Sequence, residues 1–469
     1  MNGMKNQLLR KLPSVGALLA GEAAAGWMEV HPRTLVTDCL REALADIRRQ
    51  ILEDPGGRCG PMHVTDDFVL GEARRRLDER TRPHIRQAIN ATGILLHTAL
   101  GRAVWPEGVV DSMIEGLKGY VTLAIDRKTG LRSERHHRVE YILQELTGAE
   151  AATVVNNNAG ATLLVLAALA GGKEAIVSRG QLIEIGGAFR LPDVMEQGGV
   201  RMVEVGTTNR THLRDYEQAI TEDTAAIFRA HPSNYRILGF TKQPETDHLV
   251  ELAHSRGLAF VDDLGAGALV DLERFGLPHE PTMQESVAAG ADVVLASADK
   301  LMGASQGGVI VGRREPIERI RKHPLSRALR ADKTCLMALE RTLHLFRDEQ
   351  RLRREHPLYR MLSTPPETLR ARAEALAKAV AAAAPHAQPQ VVEGVGFLGS
   401  GSLPMEELPT FLVALAAPGH KPNALAETLR LDEACVFARI EDGRVVLDVR
   451  TMTDEQIAPV AAAVGRAVQ

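Results

Sequence analysis

Apolar residues recur at two different spacings along the chain, and the spacing changes near residue 86. Before that point the spacing is helical, and the apolar residues of Leu35–Ile51 fall on one face of a helix. Phe68–Arg80 predicts a second helix, and Pro55-Gly56-Gly57 separates the two. We therefore expect residues 1–85 to form a helical N-terminal domain.

After residue 86, short apolar and β-branched runs alternate with helix-like stretches. This alternation predicts an α/β fold with a mostly parallel, seven-stranded sheet that binds ligands at the carboxyl ends of its strands. A Gly-rich loop joins the last two runs, which leaves room for the seventh strand to run antiparallel. The predicted strands are Ala152–Asn156, Ala175–Ser178, Met202–Val205, Ala225–Arg229, Leu258–Asp262, Val293–Ser297 and Gly308–Val311.

The predicted domains after residue 85 are a large α/β domain over 86–345 and a small α+β domain over 346–469. The small domain mixes strands, such as Cys435–Ile440 and Val445–Val449, with helices, such as the Ala-rich Pro366–Ala384. A chain of 469 residues is long enough for two or three domains.

Composition and charge narrow the functional classes. The four cysteines are scattered without a paired spacing, so we predict neither a metal site nor a disulfide framework. The sequence shows no secretory signal and no apolar run long enough for a membrane span, which predicts a cytoplasmic protein without a membrane partner. A net charge of −4 does not favour DNA binding. Arginines concentrate in residues 72–86, either as a patch for a polyanion or as a solvated helix face with internal ion pairs.

Lys300 is the strongest candidate for chemistry. It follows the apolar run Val293–Ser297 and precedes a Gly- and Ser-rich loop. A lysine there can turn its amine into the crevice at the strand end, where desolvation lowers the amine pKa and favours a Schiff base. The alternative is a solvated surface lysine.

Two other strand ends favour a site for pyridoxal 5′-phosphate (PLP). Asp263 follows Leu258–Asp262 and could keep a cofactor pyridine nitrogen protonated, although a turn cap is the alternative. Small and amide residues open the helix after Ala152–Asn156, where free N–H groups could bind a phosphate. The predicted cofactor-binding residues are Asn156, Asn157, Asn158, Asp263, Ser297 and Lys300.

Longer motifs connect these residues with a known family. They include Ile89-Asn90-Ala91-Thr92-Gly93, Val205-Gly206-Thr207-Thr208-Asn209-Arg210, Asp263-Leu264-Gly265, Asp299-Lys300-Leu301 and Arg327-Ala328-Leu329-Arg330-Ala331-Asp332-Lys333. Over residues 89–346 the chain closely resembles bacterial selenocysteine synthase, the L-seryl-tRNA(Sec) selenium transferase family of fold-type-I PLP enzymes. Gly399-Ser400-Gly401-Ser402-Leu403-Pro404 resembles the C-terminal domain of that family. The first 85 residues resemble its N-terminal domain only loosely.

The resemblance implies conversion of seryl-tRNA(Sec) to selenocysteinyl-tRNA(Sec) through a PLP-bound aminoacrylyl intermediate, with selenophosphate as selenium donor. It implies that Lys300 carries PLP, that Asp263 holds the ring nitrogen, and that Asn156–Asn158 lie near the phosphate. Three arginines, Arg102, Arg327 and Arg330, match those that the family places around its anionic donor, a role that suits guanidinium groups. It also implies tRNA contacts in residues 1–70 and a dimer-based homo-oligomer, a homodecamer.

The chain departs from the family motifs near the expected pocket, at Ala99, Arg138, Gln181, Ala298, Ala304 and Ser305. These changes leave the PLP residues intact but bear on the substrate. The alternative function is therefore a PLP-dependent lyase or deaminase that acts on a small phosphorylated amino acid, with the arginines binding the substrate phosphate.

Overall fold

The computed structural model describes residues 2–53, 59–187, 189–399, 401–403 and 406–469, with side chains from residue 5 onward. The chain divides into two compact units, Met1–Gln87 and Ala88–Gln469. The predicted separator at Pro55-Gly56-Gly57 lies outside the described residues, as do Ser400 and Pro404 of the C-terminal motif.

The first unit is helical, as predicted. Its helices enclose a core of their own, to which Val36, Leu40, Ile47 and Leu77 contribute. The two helices expected from the apolar spacing are both present and slightly longer than predicted. The helices of this unit are Asn2–Lys11, Val15–Ala20, Glu22–Val30, Arg33–Glu53 and Asp66–Thr81.

Four arginines of the basic segment form ion pairs with carboxylates of the same unit. Arg74 and Arg75 form the internal ion pairs of a solvated helix face that the sequence left open as one alternative, and such surface pairs contribute little stability individually. Arg76 and Arg80 instead pair with carboxylates of the helix Arg33–Glu53. The pairs are Arg74 with Asp78 at 2.9 Å, Arg75 with Glu79 at 2.6 Å, Arg76 with Asp46 at 2.5 Å and Arg80 with Glu42 at 2.6 Å.

The second unit contains the predicted seven-stranded sheet. Six strands are parallel, and Gly308–Gly312 runs antiparallel to both of its neighbours, which confirms the prediction for the strand after the Gly-rich loop. In order across the sheet the strands are Ala151–Val155, Gly308–Gly312, Val293–Ser297, Ala259–Gly265, Thr224–Ala230, Glu174–Ser178 and Arg201–Val205.

Helices cover both faces of this sheet, so its central strands are apolar and fully buried. One face packs against His137–Thr147, Thr246–Ser255, Met283–Ala288 and Lys333–Leu343. The other packs against Asn158–Ala170, Leu191–Gln197 and Arg314–Lys322. Further helices before residue 365 are Glu107–Leu117, Leu213–Ala219, Pro324–Ala328, Glu349–Glu355 and Pro357–Ser363. None of the helices in the described part of the chain could cross a membrane.

A five-stranded sheet forms a second layer in the same unit. Its strands, in order, are Ile89–Ala91, Val436–Glu441, Arg444–Asp448, Glu407–Leu415 and Pro389–Phe397. It packs against Pro366–Ala383, Pro422–Leu431 and Ile457–Ala467. The first strand pairs parallel with Val436–Glu441, so residues expected to open the large domain complete the C-terminal sheet. A two-stranded ribbon, Glu184–Ile185 with Phe189–Arg190, lies apart from both sheets. The division at residues 345 and 346 stays a prediction.

Candidate active site

A cavity of about 260 Å³ lies at the carboxyl ends of three neighbouring parallel strands. Most of the residues predicted to bind cofactor or donor line it together, although they come from distant parts of the sequence. They are Arg102, Asn157, Asn158, Asp263, Ser297 and Lys300. Asn156 is exposed and lies outside this lining, and its N–H donates to the carbonyl oxygen of Leu329 at 2.9 Å.

Lys300 is buried in this cavity, with 7% of its surface exposed. Burial lowers the pKa of its amine, and the positive charge of Arg102 lowers it further. The carboxylates of Asp263, Asp299 and Glu280 act in the opposite direction. The surface-lysine alternative is therefore wrong, because the amine lies in a buried, polar crevice where its neutral, nucleophilic form is favoured.

The turn that carries Lys300 is held from behind by two buried side chains of the C-terminal part of the chain. His356 Nε2 donates to the carbonyl oxygen of Met302 at 3.1 Å, and the Tyr359 hydroxyl donates to that of Leu301 at 2.9 Å. Gly303 has a φ of +66°, and a Cβ there would come within 2.1 Å of the His356 ring. Glycine is thus required where the turn meets the imidazole.

Burial lowers the pKa of His356 to about 4. The unfolded chain, with a histidine pKa near ~6.5, therefore binds more protons between pH 6.5 and 4. Stability is predicted to fall as the pH drops through that window. Between pH 7 and pH 5 the loss from this group is about 2 kcal/mol. In urea unfolding at the two pH values, His356→Gln should lose less stability than the wild-type protein.

The exposed His386 offers a matched control for this prediction. His386→Gln should lose as much stability between pH 7 and pH 5 as the wild-type protein does. An equal loss in His356→Gln would contradict a neutral, buried imidazole behind Lys300.

Asp263 is a buried carboxylate in the same cavity rather than a simple turn cap. Asn158 Nδ2 donates to its Oδ1 and Thr162 Oγ1 to its Oδ2, both at 2.9 Å, and Gly265 N–H donates to Oδ1 at 3.1 Å. Burial raises its pKa, while these hydrogen bonds favour the ionised form. The carboxylate is therefore oriented, and a cationic partner in the cavity would stabilise its charge.

Thr162 was not predicted from the sequence. It lies one helical turn after Asn158, so both side chains project from the same face of Asn158–Ala170 and reach one carboxylate. The spacing of four residues between Asn158 and Thr162 is the feature of the sequence that could have predicted this role. It does so only if Asp263 is already known to face this helix.

The N-terminus of helix Asn158–Ala170 also borders the cavity. Asn157 caps it by accepting a hydrogen bond from Gly160 N–H at 2.8 Å, and Asn157, Asn158 and Ala159 line the cavity wall. The first N–H groups of a helix and its dipole favour an anion, so this end is where a cofactor phosphate would fit.

Arg102 reaches the cavity from a turn in which its own φ is +63°, in the left-handed region. Its Nη1 donates to Oδ2 of Asp299 at 2.5 Å, and Asp299 directly precedes Lys300 in the chain. The predicted anion-binding arginine therefore lies beside the reactive amine and is oriented by a carboxylate that sequence reasoning left out of the site.

Arg327 and Arg330 line a different cavity, of about 760 Å³, next to the edge strand Ala151–Val155. The helix Pro324–Ala328 ends before Arg330, so the two arginines do not lie on one helix. Arg135 lies with them. Burial is the largest cause that lowers the pKa of Arg135, and the positive charges of Arg330 and Arg327 lower it further. Three arginines do converge, but the third is Arg135 and not Arg102.

None of the six departures from the family motifs lines the Lys300 cavity in the described structure. Gln181 is buried and accepts a hydrogen bond from Ala230 N–H at 3.2 Å. Ser305 donates to the carbonyl oxygen of Cys335 at 3.2 Å, and Arg138 donates to the carbonyl oxygen of Ile125. Ala298 and Ala304 are buried, and Ala99 is exposed. The six changes therefore leave the lining of the Lys300 cavity unaltered.

The residues of the Lys300 cavity fit PLP. A buried amine, an oriented carboxylate and a helix N-terminus, one for each reactive or charged part of the cofactor, come from three separate strand ends. His231 and Ser233, from a fourth segment, complete the wall.

Comparisons with known proteins identify the family of the chain. The L-seryl-tRNA selenium transferase family matches residues 88–453, and the selenocysteine synthase N-terminal family matches residues 9–48. The chain is 43% identical to L-seryl-tRNA(Sec) selenium transferase of Geotalea daltonii, covering 97% of this chain and 98% of that protein. It is 45% identical to the protein of the same name from Rhizobium meliloti, covering 95% of each.

A solved structure of D-glucosaminate-6-phosphate ammonia-lyase has a similar fold. Its TM-score is 0.56 and its sequence identity 20%, over 82% of this chain and 96% of that chain. At this identity the similarity concerns the fold alone, and the predicted α/β class of fold-type-I PLP enzymes is confirmed. By sequence, the chain belongs to the L-seryl-tRNA selenium transferase family.

Proposed function

We propose that this protein converts seryl-tRNA(Sec) to selenocysteinyl-tRNA(Sec), with PLP bound to Lys300 and selenophosphate as selenium donor. The observation that carries the proposal is the buried Lys300 amine in one cavity with Asp263, in a chain that matches the family over nearly its whole length. Bound PLP would supply an electron sink for the carbanion at the serine Cα.

The residues of the chain have separable tasks in this reaction. Asp263 would keep the cofactor ring nitrogen protonated, because its buried carboxylate is oriented by Asn158 and Thr162 and would be stabilised by a cationic partner. Lys300, whose amine pKa is lowered by burial, is suited to taking the proton from the serine Cα. Asn157 and Asn158, at the helix N-terminus that lines the cavity, would hold the cofactor phosphate.

The anionic donor requires cationic groups, and the arginines supply them from two places. Arg102 lies beside Lys300, while Arg327 and Arg330 line the larger cavity. If all three meet one selenophosphate, as the resemblance implies, a second chain must bring its arginines to the Lys300 cavity. We therefore propose a dimer-based oligomer for this chain, up to the homodecamer that the resemblance implies, and a cytoplasmic location.

The function is tested by incubating the PLP-loaded protein with seryl-tRNA(Sec) and selenophosphate and measuring selenocysteinyl-tRNA(Sec). Formation of this product is expected. Turnover of free serine or of a phosphorylated amino acid, with none on seryl-tRNA(Sec), would instead favour the lyase alternative. Neither observation made so far favours that alternative. The solved ammonia-lyase is similar to this chain in its fold alone, and the six departures from the family motifs lie outside the lining of the Lys300 cavity.

We assign tRNA binding to the helical unit, Met1–Gln87, because it has a hydrophobic core of its own and a small serine side chain cannot identify one tRNA. Removing residues 1–85 is expected to weaken tRNA(Sec) binding by at least about 100-fold, since several phosphate contacts would be lost. Binding is measured by filter retention at fixed salt.

The visible absorbance of bound PLP serves as the control and should be unchanged in the shortened protein. Undiminished tRNA affinity after the deletion would show that the helical unit has another role, such as contact between subunits.

A further inference from the structure

A second cavity, of about 340 Å³, adjoins the Lys300 cavity. The two share His231 and Ser233, which follow directly on the strand Thr224–Ala230 at the edge of the catalytic crevice. Nothing in the proposed chemistry uses this second space. A group bound there would nevertheless lie next to a substrate held at Lys300.

Glu280 is the unexplained residue of this second cavity. It is 4% exposed, and its Oε1 has no hydrogen-bond partner among the described residues. His231 Nε2 lies 3.3 Å from this oxygen, in a geometry that makes no hydrogen bond. A buried carboxylate oxygen without a donor is costly, so a ligand that brings a hydroxyl or N–H group to Glu280 would be favoured.

The mouth of the same cavity has a different character. Lys242 and Arg236 are exposed there, and Arg236 donates to Glu406 at 2.7 Å. Tyr235 lines the wall with its hydroxyl group donating to the carbonyl oxygen of Gly180. A buried acceptor, an aromatic side chain and cations at the mouth together match the ribose, base and phosphate of a nucleotide.

Covalent geometry restricts where the end of the tRNA can lie. In seryl-tRNA an ester joins the serine carbonyl carbon to a ribose oxygen of the terminal nucleotide, so only a few bonds separate that ribose from the serine Cα. When the serine lies at Lys300, the ribose must occupy space that adjoins the cavity. The second cavity adjoins it through His231 and Ser233.

We propose that the second cavity binds the terminal nucleoside of the tRNA, and that Glu280 accepts a hydrogen bond from the ribose hydroxyl that does not carry serine. This inference rests on the proposed function and specifies how that substrate is held. Lys242 at the mouth then lies toward the phosphate of the terminal nucleotide.

The test uses two stable probes and the PLP-loaded, full-length protein. In the first probe serine is joined by an amide bond to 3′-amino-3′-deoxyadenosine, which leaves the 2′-hydroxyl free, and the second is its 2′-deoxy counterpart. Binding is followed by the change in visible absorbance of the bound PLP. The wild-type protein should bind the hydroxyl probe about 10- to 100-fold more tightly, as for a hydrogen bond to a charged group.

Glu280→Leu should bind both probes with equal affinity, because leucine accepts no hydrogen bond. Glu280→Gln, which keeps the size and a neutral acceptor, should show a reduced preference and guards against misfolding of the leucine variant. Glu273→Gln, at an exposed position, should keep the wild-type preference.

An unchanged preference for the hydroxyl probe in Glu280→Leu, or in Glu280→Gln if the leucine variant does not fold, would overturn the inference. So would equal binding of the two probes by the wild-type protein. Either result leaves selenium transfer on seryl-tRNA(Sec) intact, whereas failure of the proposed function would appear as absent transfer by the wild-type protein.

Discussion

Lys300→Ala is expected to abolish selenium transfer to seryl-tRNA(Sec), with a loss of at least about 10⁴-fold. The amine that would bind PLP and move the Cα proton is removed, and Arg102, the guanidinium of the same cavity, pairs with Asp299 and cannot replace a primary amine as nucleophile. The visible absorbance of lysine-bound PLP should disappear at the same time. Absorbance and product formation are measured on the same preparation.

Lys378 provides the matched control, because it is exposed on the helix Pro366–Ala383. Lys378→Ala should retain both the absorbance and the activity of the wild-type protein. A Lys300→Ala protein with an unchanged visible spectrum would show that the cofactor is attached elsewhere or absent.

Asp263→Asn is expected to slow selenium transfer by about 10²- to 10⁴-fold, which corresponds to the ~3–5 kcal/mol lost when a buried ion pair is broken. The single oxygen of asparagine can still accept the hydrogen bonds of Asn158 and Gly265, but its NH2 group cannot accept the one from Thr162, and the side chain carries no charge to hold a ring nitrogen protonated. Bound PLP should remain visible, because Lys300 is intact. Single-turnover rates on seryl-tRNA(Sec) measure the effect.

The neighbouring Asp262 provides the matched control. It distinguishes the loss of a negative charge in the Lys300 cavity from the loss of a negative charge elsewhere on the same strand. Its side chain points to the other face, where it accepts hydrogen bonds from Arg229 and Ser286, each at 2.6 Å. Asp262→Asn should lower stability and leave the single-turnover rate of folded, PLP-loaded protein unchanged. Equal rates for Asp263→Asn and the wild-type protein would remove Asp263 from the catalytic scheme.

The parts of the fold that were predictable from the sequence are those encoded locally. Buried parallel strands require continuous apolar runs, so all seven strands of the large sheet were located to within a few residues, including Val293–Ser297 without error. The Asn-rich turn before Asn158–Ala170 likewise marked a helix start, because Asn157 caps the helix with its own side chain.

Contacts between distant residues were not predictable in the same way. Arg102 and Asp299 are separated by 197 positions, and neither local spacing nor charge pattern indicates that they meet. Ile89–Ala91 joins a strand more than 300 residues later, since a short edge strand needs only a free sheet edge and a few apolar side chains. The sequence likewise gives no sign that Glu280 lies buried beside His231, with an oxygen that accepts no hydrogen bond from any described residue.

The central claim is that Lys300 carries PLP, and chemical reduction tests it most directly. Borohydride treatment of the PLP-loaded protein fixes the cofactor to its lysine, and peptide mass spectrometry identifies that residue. The phosphopyridoxyl group is predicted on the peptide that contains Lys300, in a stoichiometry near one per chain. Its appearance on another lysine, or its absence from a protein that still forms selenocysteinyl-tRNA(Sec), would contradict the account.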